Sequence, residues 1–252
     1  MKALITGASS GIGRDMATYL GTLGWELILV GRNKERLNEE SQRINTKTKV
    51  IAIDLSKAGA PQTLYSMCKN MDIDMLINNA GFGLFGEFEK TNLDAELEMI
   101  NLNIKTVHIL SKLFFQDFKK RNSGYILNVA SSAAYMPGPL LSTYYATKAY
   151  VLRLTNAISQ ELKESKSKVS VSVLCPGPVD TDFNNRAGVV FSIKPISSEF
   201  VAKYAIDKAL AGKHVIIPTT KMKICCALAP IIPNSIMTPI VYRIQKKKMK
   251  NT

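Results

Sequence analysis

Tyr144 and Lys148 are spaced so that, on a helix, a phenol and an ammonium share one face. An ammonium beside a phenol favours phenolate and draws its pKa below the free value of about 10. A phenol tuned in this way can pass a proton to or from a carbonyl oxygen near neutral pH. Ser131 lies just upstream, where an apolar run ends, and its hydroxyl can bond the same oxygen. The spacing alone decides little, because Tyr-x-x-x-Lys also occurs at Tyr65/Lys69, Tyr204/Lys208 and Tyr242/Lys246. Those three read as solvated helix faces with snorkelling lysines. Only Tyr144 stands on a helix that follows directly after an apolar strand ending in serines.

The elements that must position this pair repeat along the chain. Apolar runs at 2–6, 26–30, 49–53, 74–78, 125–130, 169–174 and 214–217 read as buried strands. Helical stretches at 34–45, 58–70, 94–120 and 199–211, with the Tyr144 helix, separate them. Such alternation implies an α/β fold: a Rossmann-type doubly wound parallel β-sheet of about seven strands, flanked by helices on both faces. The 252 residues suit one domain, with no repeat or linker dividing them. Asn101 and Asn103 fall inside the 94–120 helix, where Asn is mildly unfavourable and hints at a kink or a water site.

The first strand runs into Gly7-Ala8-Ser9-Ser10-Gly11-Ile12-Gly13, and a helix follows. Strand, glycine turn and helix in that order make a dinucleotide site, with the pyrophosphate at the helix N-terminus. The second strand ends at Gly31, where an acid would bind the ribose hydroxyls of NAD. Arg32 comes next and can fork onto the phosphate of NADP. Asp54, closing the third strand with Leu55, is a helix N-cap or an acceptor for the adenine amino group. Asn79, Ala80 and Gly81 end the fourth strand. Pro176, Gly177 and Pro178 set a rigid turn after the sixth, leading to Val179 and Thr181 over the expected nicotinamide position.

The formal net charge of +13 invites nucleic acid, an anionic membrane or an acidic ligand as partner. From Lys221 onward there are seven basic residues and no acid, so the charge is concentrated at the tail. No nucleic-acid reading motif accompanies it, and no nucleic-acid partner is expected. Residues 224–242 are uncharged, but Pro230, Pro233 and Pro239 oppose a continuous membrane-spanning helix. This apolar-then-basic extension, 221–252, either packs over the substrate side with a solvated end or anchors peripherally to anionic lipid. The stretch 182–198 lacks periodicity and reads as a lid or a disordered loop. Cys68, Cys175, Cys225 and Cys226 have no metal-ligand spacing, so no metal is expected, and they fit a reducing cytosol. The first strand begins at Lys2, which leaves no room for a signal segment. The expectation is a cytoplasmic protein, with peripheral contact at the inner face of a membrane as the sharper alternative.

Taken together, Thr6 to Gly13, Asp54-Leu55, Asn78 to Gly81, Ser131, Tyr144 to Lys148 and Pro176 to Thr181 resemble the short-chain dehydrogenase/reductase family over roughly residues 2–217. The resemblance implies Tyr144 as catalytic acid/base and Lys148 as the residue that lowers its pKa and binds the nicotinamide ribose. It implies that Ser131 orients the substrate carbonyl and that Asn103 holds the water of a proton relay. Asn78 then ties the central sheet and Thr181 fixes the carboxamide. Gly7, Ser9, Ser10, Gly11, Ile12, Gly13, Arg32, Asp54, Leu55, Asn79, Ala80, Gly81, Pro176, Gly177 and Val179 complete the cofactor site with Tyr144 and Lys148. Arg32 resembles members that prefer NADP(H) over NAD(H), although Ser10 stands where many of those carry a basic residue.

The implied activity is interconversion of a carbonyl and a secondary alcohol, in a homodimer or homotetramer. The alternative is a non-catalytic NAD(P)-sensing protein of the same fold. Ala133, Met136, Leu140, Leu141, Phe183 and Phe191 are expected to face the substrate. Against such a surface each buried methylene gains about 0.8 kcal/mol, which favours an apolar ketone or 3-oxoacyl compound.

Overall fold

The computed structural model describes residues 1–181 and 195–249. Seven strands form a parallel sheet in the order β3-β2-β1-β4-β5-β6-β9. They are β1 (Lys2–Thr6), β2 (Glu26–Gly31), β3 (Thr48–Ala52), β4 (Met75–Asn78), β5 (Tyr125–Val129), β6 (Ser170–Leu174) and β9 (Val215–Ile216). The sequence reading of the sheet therefore holds. Strands of this kind are covered on both faces and read as continuous apolar runs.

Alternate side chains serve opposite faces. Ala3, Ile5, Leu27, Leu29, Met75, Ile77 and Leu127 pack under α1 (Gly11–Thr22) and α7 (Ser198–Leu210). Leu4, Ile28, Val30, Leu76 and Ile126 pack under α3 (Ala60–Cys68), α5 (Val107–Arg121) and α6 (Ser142–Glu164). α2 (Lys34–Arg43) packs along β2 and β3. Strand order reverses between β1 and β4, so a crevice opens at the carboxyl ends there, as doubly wound sheets require.

The long helix before β5 is interrupted. α4 (Leu93–Ile100), capped by Asn92, passes into a π turn (Asn101–Thr106) and then into α5. The two asparagines foreseen as a kink lie inside that turn. The centre of the sheet is tied by polar side chains. Asn78 Nδ2 donates to Asn128 Oδ1 (2.8 Å) and Ser111 Oγ (3.0 Å), and Asn128 Nδ2 donates to Thr155 Oγ1 (3.0 Å).

The sequence reading is incomplete in two regions. Residues 182–194 of the foreseen lid lie outside the described residues. Its end is not a loop: β8 (Ile196–Ser197) pairs with β7 (Val179–Asp180), and Ser198 begins α7. The C-terminal extension forms α8 (Thr220–Leu228), a 3-10 turn (Ala229–Ile231) and α9 (Asn234–Met249). Among the described residues no helix is long and apolar enough to cross a membrane.

Candidate active site

The glycine turn between β1 and α1 exists because side chains are excluded from it. Gly7 and Gly11 take φ of 69° and 54°, a region that disfavours side chains. A Cβ on Gly13 would stand 2.3 Å from Asn79 Nδ2 and 2.4 Å from the Gly7 carbonyl oxygen. Ser10 leads into α1 in extended backbone and its hydroxyl makes no capping bond. The N-terminus of α1 therefore carries no side-chain cap and is suited to an anion. The loop after β4 is stitched to this turn. Thr6 Oγ1 accepts from the Asn79 and Ala80 N–H groups (both 3.0 Å), and Asn79 Nδ2 donates to the Thr6 and Gly7 carbonyls (3.0 and 3.2 Å).

Arg32 leaves the end of β2 half-exposed and pairs with Glu98 of α4 at 3.2 Å. Asp54 Oδ1 accepts from the N–H and hydroxyl of Ser56 (3.0 and 2.7 Å). Burial pushes its carboxyl up, but the Ser56 bonds, with Arg32 and Lys57, outweigh it and hold the group below its usual range. The N-cap alternative for Asp54 is not realised. α3 starts at Ala60 behind Gly59, and Asp54 closes a local turn on Ser56 instead.

Ser131 leaves β5, accepts from the Ala133 N–H at 3.1 Å, and is hydrogen-bonded to the Tyr144 hydroxyl. Lys148 is buried, donates from Nζ to the Val129 carbonyl at 2.9 Å, and lies 5.8 Å from the Tyr144 ring centroid. Burial pushes the Tyr144 phenol up, against the opposing bond from Ser131. Burial likewise pulls the Lys148 ammonium down to about 8, although Cys175 acts in the opposite sense. The sequence expectation of a phenol lowered by its lysine is thus reversed. Desolvation dominates both groups, and the ammonium is occupied with a main-chain carbonyl.

Asn103 sits in the π turn and is 1% exposed. Its Nδ2 donates to the Phe82 carbonyl (2.9 Å) and Thr147 Oγ1 (3.1 Å), and its Oδ1 accepts from the Phe82 N–H (3.2 Å). A Cβ on Gly81 would meet Asn103 Oδ1 at 2.8 Å and Lys148 Nζ at 3.5 Å, so the two side chains flank one glycine.

One cavity of about 750 Å³ joins these groups. Gly7, Ser9, Ser10, Gly11, Ile12, Arg32, Asp54, Leu55, Asn79, Ala80 and Gly81 line one part. Ser131, Tyr144, Lys148, Pro176, Gly177, Val179 and Thr181 line the next, with Ala133, Met136 and Leu141 beyond. Three expected residues stand off it. Gly13 packs behind the turn, and Asn103 stands behind Gly81. Leu140 takes a left-handed φ of 66° and accepts the Gly86 N–H at 2.9 Å, so it shapes a turn rather than the pocket. Phe183 and Phe191 lie outside the described residues.

Sequence reasoning offered the C-terminal extension as a cover for the substrate side but named none of the residues that form this far wall. Met222, Cys225, Val241, Ile244 and Gln245 of α8 and α9 line the cavity, as does Tyr145. Gln245 is buried and donates from Nε2 to the Tyr145 hydroxyl at 2.7 Å. The signal was present: Met237, Val241 and Gln245 recur every fourth residue as the buried stripe of α9. Among the described residues no cluster of potential metal ligands occurs.

The donor set fits a nicotinamide dinucleotide. A turn that admits no Cβ and an uncapped helix N-terminus suit a pyrophosphate, and an arginine at the end of β2 suits a ribose phosphate. Residues 1–188 match the family described as short chain dehydrogenase. The chain is 37% identical over 222 residues to an uncharacterised oxidoreductase of Staphylococcus epidermidis, which covers 84% of this chain and 92% of that relative. It is 34% identical over 180 residues to the very-long-chain 3-oxoacyl-CoA reductase-B of Danio rerio, covering 68% of this chain and 58% of that one. A solved short-chain dehydrogenase from Sphingobium yanoikuyae in complex with NADPH matches with a TM-score of 0.82 and 28% identity, over 87% of this chain and 88% of that one.

Proposed function

Because the chain belongs to the short-chain dehydrogenase family and is an oxidoreductase of the nicotinamide-dependent kind, we propose that it is an NADP(H)-dependent carbonyl reductase. Its substrate in this reading is a ketone on an apolar body, of alkyl, ring or 3-oxoacyl type. The observation that carries it is one cavity shared by the glycine turn, Arg32, the Ser131–Tyr144–Lys148 group and an apolar far wall. The 3-oxoacyl option draws support from the name of the Danio rerio relative.

When bound, the dinucleotide supplies or accepts the hydride. The chain does the rest. Gly7 to Ile12 bind the pyrophosphate, backed by Gly13, and Arg32 binds the ribose phosphate. The exposed Arg32–Glu98 pair is worth only about 0–1 kcal/mol, so releasing Glu98 for a phosphate costs little. Asp54 and Leu55 meet the adenine, and Asn79 to Gly81 its ribose side. Pro176, Gly177, Val179 and Thr181 hold the carboxamide end. Ser131 bonds the substrate oxygen and Tyr144 exchanges the proton with it. Lys148 binds the nicotinamide ribose, and its charge offsets that left on the phenol. Asn103 keeps Phe82 and Thr147 in register beside Lys148 and holds the water of the relay. A phenol raised by burial keeps its proton at neutral pH, which suits a donor and hence the direction of carbonyl reduction.

The same reading treats the chain as one catalytic unit that works as a homodimer or homotetramer. Phe88, Leu93, Leu97 and Tyr150 expose large side chains around α4 and α6 for that purpose. It also includes peripheral contact of the basic extension with anionic lipid. The test is NADPH oxidation with methyl ketones of increasing chain length, repeated with NADH. Catalytic efficiency should rise with chain length and favour NADPH. A flat series, or a preference for NADH, would sink the proposal.

A further inference from the structure

α8 and α9 have two faces of different character. The inner face, with Cys226, Met237, Val241 and Gln245, is buried against the body, where Tyr135, Met136 and Tyr145 receive it. The outer face carries Ile224 (56% exposed), Leu228 (51%), Ile231 (75%), Ile236 (55%) and Ile240 (43%). Ile236, Ile240 and Ile244 recur every fourth residue, so they form one stripe along α9. Ile244 belongs to both worlds: it is 47% exposed and it lines the cavity. The apolar outer stripe therefore meets the rim of the pocket.

Exposed cations lie on the same two helices, with Lys223 turned to the Tyr204 hydroxyl and Lys246 near Glu87, and the occupant follows from their net sign. Lys221, Lys223, Arg243, Lys246 and Lys247 are exposed, and no acid occurs from Lys221 to the end of the chain. Aliphatic side chains together with ammonium and guanidinium groups match the acyl–phosphate boundary of an anionic bilayer. A second copy of the chain would bring the same cations into one seam, where like charges oppose association. Among the described residues no helix is long and apolar enough to span, so the two helices would lie on the surface.

We propose that the outer face of α8–α9 docks on anionic lipid bilayers and that an apolar carbonyl substrate passes between bilayer and cavity across this face. The proposal rests on the reading of the cavity as a site for such a compound. It goes further by making docking and substrate entry one surface, rather than assigning docking to the basic end alone.

The test compares the wild type with a triple variant, Ile231→Ser, Ile236→Ser and Ile240→Ser, whose positions stand outside the cavity lining. Flotation uses phosphatidylcholine vesicles with and without phosphatidylglycerol. Wild type should float only with phosphatidylglycerol, and less so as salt rises. The triple variant should bind at least about tenfold more weakly, since exposed aliphatic burial is what it loses. Its turnover of a short water-soluble ketone with NADPH should be unchanged, which reports an intact fold and site. Its turnover of a long-chain ketone dissolved in the same vesicles should fall by about tenfold or more, in line with the binding. Equal flotation of both proteins, or wild type indifferent to phosphatidylglycerol at low salt, overturns the docking face. Lost flotation with undiminished turnover of the vesicle ketone overturns the entry route. A dimer in sedimentation that the triple variant dissociates makes a second copy the occupant and overturns the proposal. Correct flotation with no turnover of any ketone by wild type condemns the reductase reading instead.

Discussion

The cavity is bounded by two unlike walls. On the cofactor side, the ends of β1 and β4 are held by hydrogen bonds to main chain: Asn79 to the Thr6 and Gly7 carbonyls, and Thr6 to two backbone N–H groups. On the far side, α9 is held by the Gln245–Tyr145 bond and the apolar packing of Met237 and Val241. The first wall fixes the position of backbone atoms, and only one residue type fits at its tightest points. The second fixes an apolar volume, which many side chains fill equally well.

The largest break in that contrast is expected at Gly13. Gly13→Ala puts a Cβ against the Gly7 carbonyl and Asn79, neither of which can yield without moving the turn. NADPH affinity should fall by about a hundredfold or more, and stability by roughly 1–3 kcal/mol from overpacking. Gln245→Leu on the other wall removes a hydrogen bond together with a buried acceptor that has no partner among the described residues, so its stability should change by less than about 1 kcal/mol. Fluorescence titration and urea unfolding of both variants would measure this. Equal losses would erase the distinction between the walls.

A smaller effect is expected at Arg32. Arg32→Ala should raise the Michaelis constant for NADPH by about tenfold, the loss of a charge-assisted contact to phosphate, and barely alter that for NADH. A parallel rise for both cofactors would mean that Arg32 acts only through Glu98.

The difference in legibility between the walls has a physical origin. Gly7, Gly11 and Gly13 were readable because a turn that excludes Cβ leaves a mark in residue type, and buried parallel strands leave apolar runs. Met222, Val241 and Ile244 were harder to read, because the four-residue repeat of α9 is faint in an apolar stretch broken by Pro230, Pro233 and Pro239 that is compatible with many packings. Leu140 was misread as a pocket residue because its left-handed backbone leaves no mark on a leucine. Tyr144 and Lys148 were singled out by spacing together with the serine-ended strand before them, but the direction of the phenol's pKa shift was not legible. Burial is a property of the whole fold, and here it outweighs the pairwise attraction.

The subtlest test concerns that burial. The folded pKa of Lys148 is near 8 against an unfolded value of 10.5, so the unfolded chain holds more protons between those limits. Stability should therefore rise with pH across this window. Urea unfolding in that range should show wild type gaining on Lys148→Met as pH rises. Parallel curves would mean that the ammonium is solvated.

The central claim, that Tyr144 exchanges the proton with a carbonyl substrate held beside the nicotinamide cofactor, is tested most directly by Tyr144→Phe. The variant removes one hydroxyl and leaves the ring in its packing. NADPH-dependent reduction of a long-chain ketone should fall by about a hundredfold or more. NADPH binding, followed by fluorescence, should stay within about twofold, because the glycine turn and Arg32 are untouched. Retained turnover, or loss of cofactor binding together with activity, would contradict the account.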